Sequence, residues 1–324
     1  MFNIGIIGPG RVAERHANAL KIIPDAQLWS VAGRTQESAQ KFVNEHNPAA
    51  KIYDNYKHML NDPDLHAVII TTPDNLHADQ IIECSKSGKA ILVEKPVCTS
   101  IESAQQILNQ LTATPVILSV AYHLRWHRGL RHIAMKAKNN ELGKINKIKL
   151  RWGVNFIDHA KWRLDPVYGK WCCLSALGTH LIDVVRWILL PACGEVISSR
   201  IHSEYLPNTN VDAANSIRMQ FASGAIAEID CSLICDEPFS LIIETDKMNV
   251  HGDNLAGEIH ERKLFVGNEQ FIFEETNLYV EQLKAFIDAV RHDNSPEVSL
   301  AEGLRNVEIL NGTCHERENY ISYS

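Results

Sequence analysis

The chain has 324 residues, of which 45% are hydrophobic and 22% charged, values typical of a folded globular protein large enough for two domains. A formal net charge of −7 without a basic stripe excludes a general nucleic-acid binder. Because no apolar run reaches the roughly 18–20 residues of a membrane span and no basic leader is seen, we expect a cytoplasmic protein that binds no membrane.

The eight cysteines predict neither disulfides nor a metal centre. They form no C-x-x-C pair and no zinc-type spacing. Cys231 and Cys235 share one face of a predicted strand, but no histidine stands at ligand spacing beside them. We therefore expect reduced thiols and no metal.

The N-terminal segment combines an apolar strand at residues 4–7, a glycine turn and a helix at 11–23. The turn reads G-x-G-x-x-A, the pattern of a dinucleotide site. Gly8 permits the tight turn, Gly10 lets the backbone approach a pyrophosphate, and the small Ala13 lets the helix pack closely on the strand. The helix N-terminus offers N–H donors to phosphates. The predicted contacts are Gly8, Gly10, Arg11, Val12 and Ala13.

Residues 1–121 predict a complete nucleotide-binding domain. Apolar strands at 4–7, 27–32, 51–53, 67–71, 90–94 and 116–121 alternate with helical patterns at 11–23, 36–46, 55–61, 76–87 and 100–111. This alternation is typical of a Rossmann domain with a doubly wound parallel sheet.

The end of the second strand bears on cofactor choice. An NAD site usually has an acid there to bind the ribose hydroxyls. This chain has Gly33, Arg34 and Thr35 instead, so a guanidinium and a hydroxyl stand where a 2′-phosphate would lie. The sequence therefore predicts NADP, with NAD possible, unless Arg34 is only a solvated loop residue.

Two further loops follow the fourth and fifth strands, at the sheet edge where open α/β folds bind ligands. The predicted cofactor contacts in these loops are Thr72, Pro73, Asn75, His77, Glu94 and Lys95. A lysine flanked by Glu94 and Pro96 is unusual for a mere surface charge, because proline fixes a turn that aims the ammonium.

Residues 122–324 predict a second domain built on a large, mostly antiparallel open sheet with helices at 125–138 and 174–190 on one side. Strand-like runs lie at 148–156, 195–205, 217–221, 225–235, 239–245, 247–251 and 259–266, and a helix at 278–290. Lysines and arginines at 144–151 predict a solvated strand face. We expect the face of Trp152 and Phe156 to be covered by another subunit, giving a homodimer or tetramer.

Gly178 to Asp183 opens a strongly apolar helix. His180 and Asp183 are three residues apart and therefore share a helix face. A histidine there is either a satisfied structural residue or a group for proton transfer.

Together these motifs resemble the Gfo/Idh/MocA oxidoreductases. The matching segments are GPGRVA, TTPDNLHADQIIECSKSGKAILVEKP from Thr71 to Pro96, WR at 162–163, and GTHLID at 178–183. The resemblance implies hydride exchange between a nicotinamide cofactor and a CH–OH or C=O carbon of a sugar, polyol, dihydrodiol or related small molecule. It also implies catalytic roles for Lys95, His180 and Asp183, and substrate contacts from Lys95, Trp162, Arg163, Thr179 and His180.

One departure from that family is Ala176, where many members carry an aspartate four residues before the histidine. Alanine cannot orient His180, and Ser175 could replace the aspartate only if the helix start is displaced. Trp171 and Cys172 stand in place of family glycines, so we expect a smaller, less polar wall.

Asp158, His159 and Tyr168 precede this segment and are alternative polar groups. The departure leaves open a non-catalytic sensor or regulator. A third alternative is an enzyme that uses transient oxidation for a hydrolase or epimerase reaction.

Overall fold

The computed structural model describes residues 1–159, 161–165, 167–256 and 262–312. The chain forms two compact units. The first contains Met1–His123 and Asn277–Val307, and the second contains the described residues of 124–276 together with residues 308–312. The predicted boundary at 121/122 therefore lies close to the first crossing, whereas the return of residues 277–307 to the first unit corrects the prediction of an unbroken second domain.

The strands and helices of the described residues follow in chain order. The strands are β1 (Phe2–Ile7), β2 (Ala26–Ala32), β3 (Lys51–Tyr53), β4 (Ala67–Ile70), β5 (Ala90–Val93), β6 (Leu118–Val120), β7 (Ile145–Gly153), β8 (Val196–Tyr205), β9 (Asp212–Phe221), β10 (Ile226–Ser232), β11 (Glu237–Thr245), β12 (Val250–Asp253), β13 (Lys263–Val266) and β14 (Glu269–Gln270). The α-helices are α1 (Arg11–Leu20), α2 (Gln36–His46), α3 (Tyr56–Leu60), α4 (His77–Lys86), α5 (Ile101–Ala113), α6 (Arg128–Lys138), α7 (Thr179–Cys193), α8 (Leu278–His292) and α9 (Leu300–Leu310).

The first unit is a six-stranded sheet in the order β3-β2-β1-β4-β5-β6. Its strand pairs are all parallel. β4 and β5 are buried along their whole length, as expected for strands covered on both faces. The sequence prediction of a Rossmann sheet is confirmed.

Helix α8 extends the core of this unit. Val280, Leu283, Phe286 and Ile287 recur at helical spacing and belong to the same buried cluster as β1 and α1. The predicted amphipathic helix at 278–290 is thus present, but its apolar stripe packs on the nucleotide-binding unit.

The second unit is an eight-stranded sheet in the order β14-β13-β12-β11-β7-β10-β9-β8. Its neighbours are antiparallel except for β7 and β10, which run parallel. The predicted mostly antiparallel sheet is confirmed. Of the predicted strand at 259–266, residues 259–261 lie outside the described residues.

The residues of β7 that alternate with its buried ones belong to a charged face of this sheet. Ion pairs cross it between Lys147 and Glu228 (2.7 Å), Lys149 and Glu244 (3.1 Å), and Arg151 and Asp230 (3.4 Å). The predicted solvated basic face is confirmed, with acids on neighbouring strands as partners.

The expectation that Trp152 and Phe156 belong to an apolar outer face is wrong. Trp152 stacks on the buried ring of Phe239 at 5.6 Å and lies 6.4 Å from the ring of His180 on α7. Phe156 follows the end of β7, beside the ring of His159. Alternation indicates two faces of a strand but not which of them a helix covers.

Helix α7 and the turn before it form the apolar helix of the second unit, in contact with α6, β7 and β10. Contrary to expectation, the segment Leu174–Cys193 is long and apolar enough to cross a membrane by length and composition alone. Most of it is buried inside the protein, as in the core helix of a globular domain.

Candidate active site

The turn after β1 has a backbone conformation that requires glycine at position 8. Gly8 has a φ of +94°, and a Cβ there would lie 2.7 Å from Cγ2 of Thr72. The hydroxyl of Thr71 donates hydrogen bonds to the carbonyl oxygens of Ile7 (3.1 Å) and Gly8 (2.7 Å). The start of the loop after β4 therefore braces the turn at the carboxyl ends of adjacent strands.

At position 10, by contrast, neither the backbone conformation nor the neighbouring atoms require glycine. Its φ of −109° suits any residue, and a Cβ there would have no described atom within 4 Å. Gly10 also precedes α1 without a side chain that caps the helix. Open space over an uncapped helix N-terminus fits a pyrophosphate group. Ala13, fully buried on α1, provides the close helix packing.

The loop after β2 contains two predicted cofactor contacts, Arg34 and Thr35, which differ in their surroundings. The Thr35 hydroxyl caps α2 by accepting a hydrogen bond from the Ser38 N–H (3.2 Å), so it already has a structural role. Arg34 is exposed, and it makes no hydrogen bond or ion pair that involves the described part of the chain. Its guanidinium is therefore available to an anion at this edge.

His77 joins the two loops that follow β4 and β5. Its Nδ1 lies 2.9 Å from the carbonyl oxygen of Pro96, and its Nε2 lies 2.9 Å from that of Thr72. Both nitrogens thus face backbone groups, and the buried ring holds the loops together rather than reaching outward. The Thr72 hydroxyl in turn donates to Gln80. Pro73 precedes the 3₁₀ turn Asp74–Leu76, where Asn75 is exposed.

Glu94 and Lys95 follow β5 and are both buried. Glu94 Oε1 lies 2.9 Å from Nε2 of His16, a buried residue of α1, and Oε2 accepts a hydrogen bond from the Lys95 N–H (3.3 Å). Burial opposes the ionisation of Glu94, but the hydrogen bond from His16 and the nearby positive charges hold its pKa at about 2. A permanent carboxylate therefore lies beside Lys95.

His123 and Tyr279 complete this region of the first unit. The His123 ring, beyond the end of β6, stacks on the Tyr279 ring at 4.7 Å and an angle of 19°. Burial lowers the pKa of His123 to about 3 and raises that of Tyr279. Sequence reasoning missed His16, His123 and Tyr279, because nothing local links positions 16, 123 and 279.

In the second unit, His180 is the second residue of α7 and is only 4% exposed. Thr179 before it is fully buried. Trp152 lies beside the imidazole, so the group predicted for proton transfer lies against an aromatic ring. Asp158, considered as a possible partner of His180, is exposed in a short 3₁₀ turn beside His159.

Asp183 is held in a buried ion pair. Arg125, which follows β6, donates from Nε to Oδ2 (2.8 Å) and from Nη2 to Oδ1 (2.7 Å). Both side chains are at most 2% exposed. Two parallel charge-assisted hydrogen bonds fix the carboxylate geometrically. Arg125 was not predicted, because its partner lies 58 positions away.

A π-helical turn, Leu174–Gly178, leads into α7 and contains Ala176. Such turns are uncommon and often accompany functional sites. Asp212, the first residue of β9, accepts hydrogen bonds from the N–H groups of Cys172 (2.6 Å) and Leu174 (2.8 Å). The Ser175 hydroxyl accepts a hydrogen bond from Nε of Arg163 (3.4 Å).

Arg163 therefore contacts the segment that lacks the family aspartate. Its guanidinium also lies over the Trp162 ring, with Cζ 4.3 Å from the centroid. Trp171 and Cys172 are buried, as expected for bulkier residues in place of glycines. Tyr168 is half-buried in the turn between Asp165 and Gly169. Within the described residues, no group of three or more His, Cys, Asp or Glu side chains is arranged to hold a metal.

The parallel sheet and the glycine turn of the first unit are those of a dinucleotide-binding domain. Residues 2–122 match the oxidoreductase family with an NAD-binding Rossmann fold, and residues 130–256 match the C-terminal domain of the same family. The chain belongs to the Gfo/Idh/MocA family of NAD(P)-dependent oxidoreductases.

Individual relatives agree with this assignment. The chain is 26% identical over 313 residues to the myo-inositol 2-dehydrogenase of Thermotoga maritima, covering 93% of this chain and 91% of that protein. It is 25% identical over 328 residues to the scyllo-inositol 2-dehydrogenase (NAD⁺) of Bacillus subtilis, covering 94% and 90%. Its fold is similar to that of levoglucosan dehydrogenase in complex with NADH, with a TM-score of 0.83 and 17% identity over 96% of this chain and 95% of that one.

Proposed function

We propose that this protein is an NADP-preferring dehydrogenase that acts on a CH–OH carbon of a cyclic polyol, sugar or dihydrodiol. The proposal depends on two features that occur together. Open space lies beside Gly10 at the α1 N-terminus, and Lys95 is buried after the end of β5. The similar proteins named above act on inositols and, by its name, levoglucosan, all of them rings that carry hydroxyl groups.

The cofactor preference rests on Arg34. No acid ends β2, and an exposed guanidinium at this point favours the 2′-phosphate of NADP. One relative is named for NAD⁺ and one similar structure contains NADH, so this preference is a property that we infer from this chain's own residues. Gly8, Gly10, Arg11, Val12 and Ala13 would hold the pyrophosphate.

Each chemical role follows from the residue type. When bound, the nicotinamide supplies hydride transfer. Oxidation of an alcohol also requires loss of the hydroxyl proton, which the imidazole of His180 would accept, while the Lys95 ammonium would stabilise the developing alkoxide. Thr179, Trp162 and Arg163 would contact the substrate.

We assign Asp183 to positioning, in place of the catalytic role that the sequence predicts. Its carboxylate accepts two hydrogen bonds from Arg125 inside the protein, and this pair fixes α7 one turn after His180. A proton placed on Asp183 would break a buried ion pair, which is costly.

We also expect self-association, as a homodimer or tetramer through the sheet of the second unit. The charged face alternates in sign across β7, β10 and β11, so a second copy can be complementary to it. A strictly monomeric mass by light scattering at micromolar concentration would contradict this. The seven described cysteines are free thiols, which agrees with a cytoplasmic location.

The test is turnover of NADPH and NADH with inososes, ketoses, anhydro-sugars and diketones, with Lys95→Ala as the matched inactive control. We expect oxidation of NADPH with at least one cyclic ketone and a slower reaction with NADH. Tight cofactor binding without turnover of any compound would favour a non-catalytic sensor instead. Turnover of substrate without net cofactor change would favour transient oxidation.

A further inference from the structure

We propose that Tyr279 and His16 act through Glu94 to position the Lys95 ammonium, and that the Glu94 carboxylate keeps this ammonium charged. The proposal rests on the dehydrogenase function above and adds positioning residues to it. We refer to the five residues around Lys95 as the Glu94 network: Arg15, His16, Glu94, His123 and Tyr279. They come from α1, the ends of β5 and β6, and α8, all in the first unit.

The Glu94 carboxylate is held at both oxygens. Nε2 of His16 lies 2.9 Å from Oε1, and the backbone N–H of Lys95 donates to Oε2 at 3.3 Å. His16 is fully buried, and its Nδ1 has no hydrogen-bond partner within the described residues. Among the described residues, the imidazole therefore has a hydrogen-bond partner only at Nε2, which is Glu94. Packing against neighbouring rings must hold it in place.

Tyr279 provides that packing. Its ring meets the His16 ring edge-on, with centroids 5.1 Å apart at 86°, and stacks face-on against the His123 ring at 4.7 Å. Edge-to-face and stacked arrangements are the favourable geometries of aromatic pairs. The guanidinium of Arg15 also lies near the Tyr279 ring, with Cζ 5.8 Å from the ring centroid. Without the ring, His16 could turn away and release the carboxylate.

Glu94 is the negatively charged member of the network. Glu94 is ionised throughout the neutral range, since its pKa is held at about 2. His123 is neutral there, because burial lowers its pKa to about 3. The charge of Glu94 also contributes to the raised pKa of Tyr279, whose phenol stays neutral. The negative charge of Glu94 therefore opposes deprotonation of Lys95, whereas the positive charge of the exposed Arg15 favours it.

The first experiment compares side chains at position 279. Tyr279→Leu removes the ring, whereas Tyr279→Phe keeps it and loses only the hydroxyl. We expect Leu to lower kcat by about 10-fold or more, the scale of a lost orienting contact, and Phe to have a distinctly smaller effect. Tyr56→Leu is the matched control, because Tyr56 is also half-buried near the start of a helix in this unit and lies outside the network.

The second experiment does not depend on turnover. The protein is produced with ¹³C at lysine Cε, the Lys95 signal is identified by its loss in Lys95→Ala, and its titration midpoint is followed by NMR. Glu94→Gln removes the negative charge and should lower the midpoint by about one pH unit or more. His16→Ala and Tyr279→Leu should lower it less, and His16→Gln, which keeps a donor, should restore the wild-type midpoint.

The results separate the inference from the proposed function. Unaltered Lys95 midpoints in Glu94→Gln and Tyr279→Leu would overturn the inference, even if the protein is an active dehydrogenase. Shifted midpoints support the network even where no substrate in the panel reacts, a result that would count against the proposed function alone. Equal losses of kcat in Tyr279→Leu and Tyr56→Leu would show general destabilisation and also overturn it.

Discussion

Two buried carboxylates, Glu94 in the first unit and Asp183 in the second, differ in their partners and in what surrounds them. Asp183 accepts two hydrogen bonds from Arg125, a group that is always charged. Glu94 is paired with a histidine and lies among titratable side chains beside Lys95. The first arrangement is a closed pair between two side chains, whereas the second also includes a backbone contact to Lys95.

Burial of a carboxylate does not by itself indicate a catalytic role. The sequence places Asp183 on one helix face with His180, which invites a catalytic assignment. The structure instead gives it a partner that fixes α7. Glu94 reads as a simple neighbour of Lys95 in the sequence, yet it joins α1, β5 and, through ring contacts, α8.

The largest expected effect concerns the Asp183 pair. Arg125→Ala should lower the free energy of unfolding by about 3–5 kcal/mol, because it leaves a buried carboxylate without its partner. Arg218→Ala, which breaks an exposed pair with Glu228, should cost no more than about 1 kcal/mol. Denaturant unfolding of both variants measures this, and equal losses would mean that the Asp183 pair is not structural.

The second largest expected effect concerns Lys95, which lies beside Glu94. Lys95→Ala should lower kcat by about 100-fold or more, the range seen when one oriented electrostatic partner of the transition state is lost. Cofactor binding, measured by titration calorimetry, should persist. An undiminished kcat on a true substrate would show that the site has been misplaced.

Acid should weaken the contribution of Glu94 to stability. Glu94 has a folded pKa of about 2 against an ordinary value of 4.5. Its contribution to stability is therefore complete above about pH 5 and is lost as pH falls toward 2, by roughly 2–3 kcal/mol. Glu94→Gln should flatten the fall in unfolding free energy between pH 5 and 3 relative to wild type. The same slope in both proteins would mean that other carboxylates dominate.

The smallest expected effect concerns the exposed charge at the end of β2. Arg34→Ala should weaken NADP binding by roughly 10- to 100-fold, since a charge-assisted contact contributes about 1.5–3 kcal/mol. NAD binding should change little. Equal affinity of the wild type for the two cofactors would contradict the predicted preference.

Much of the fold could be predicted because its signals are local. Continuous apolar runs such as β4 and β5 indicate strands covered on both faces, and the glycine turn after β1 is contiguous in the sequence. Alternation in β7 indicates a half-buried strand. It could not indicate which face α7 covers, so the position of Trp152 was predicted wrongly.

The rest depended on contacts between distant positions. The apolar stripe of α8 predicts that the helix is buried but does not indicate which unit covers it. The contact between Tyr279 and His16 is visible only in the structure. The Arg125–Asp183 pair likewise joins residues 58 positions apart. The capping role of Thr35 and the loop-joining role of His77 were missed, because both motifs also suit direct cofactor contact.

Isotope transfer from substrate to cofactor tests the proposed dehydrogenase activity most directly. Wild-type protein and Lys95→Ala are each incubated with NADP⁺ or NAD⁺ and cyclic polyols that carry deuterium on the CH–OH carbons, and the reduced nicotinamide is analysed by mass spectrometry. We predict deuterium in the nicotinamide ring with at least one polyol, faster with NADP⁺, and strongly reduced in Lys95→Ala. Absence of transfer from every polyol to either cofactor, in a protein that binds the cofactor, would contradict the proposed polyol dehydrogenase activity.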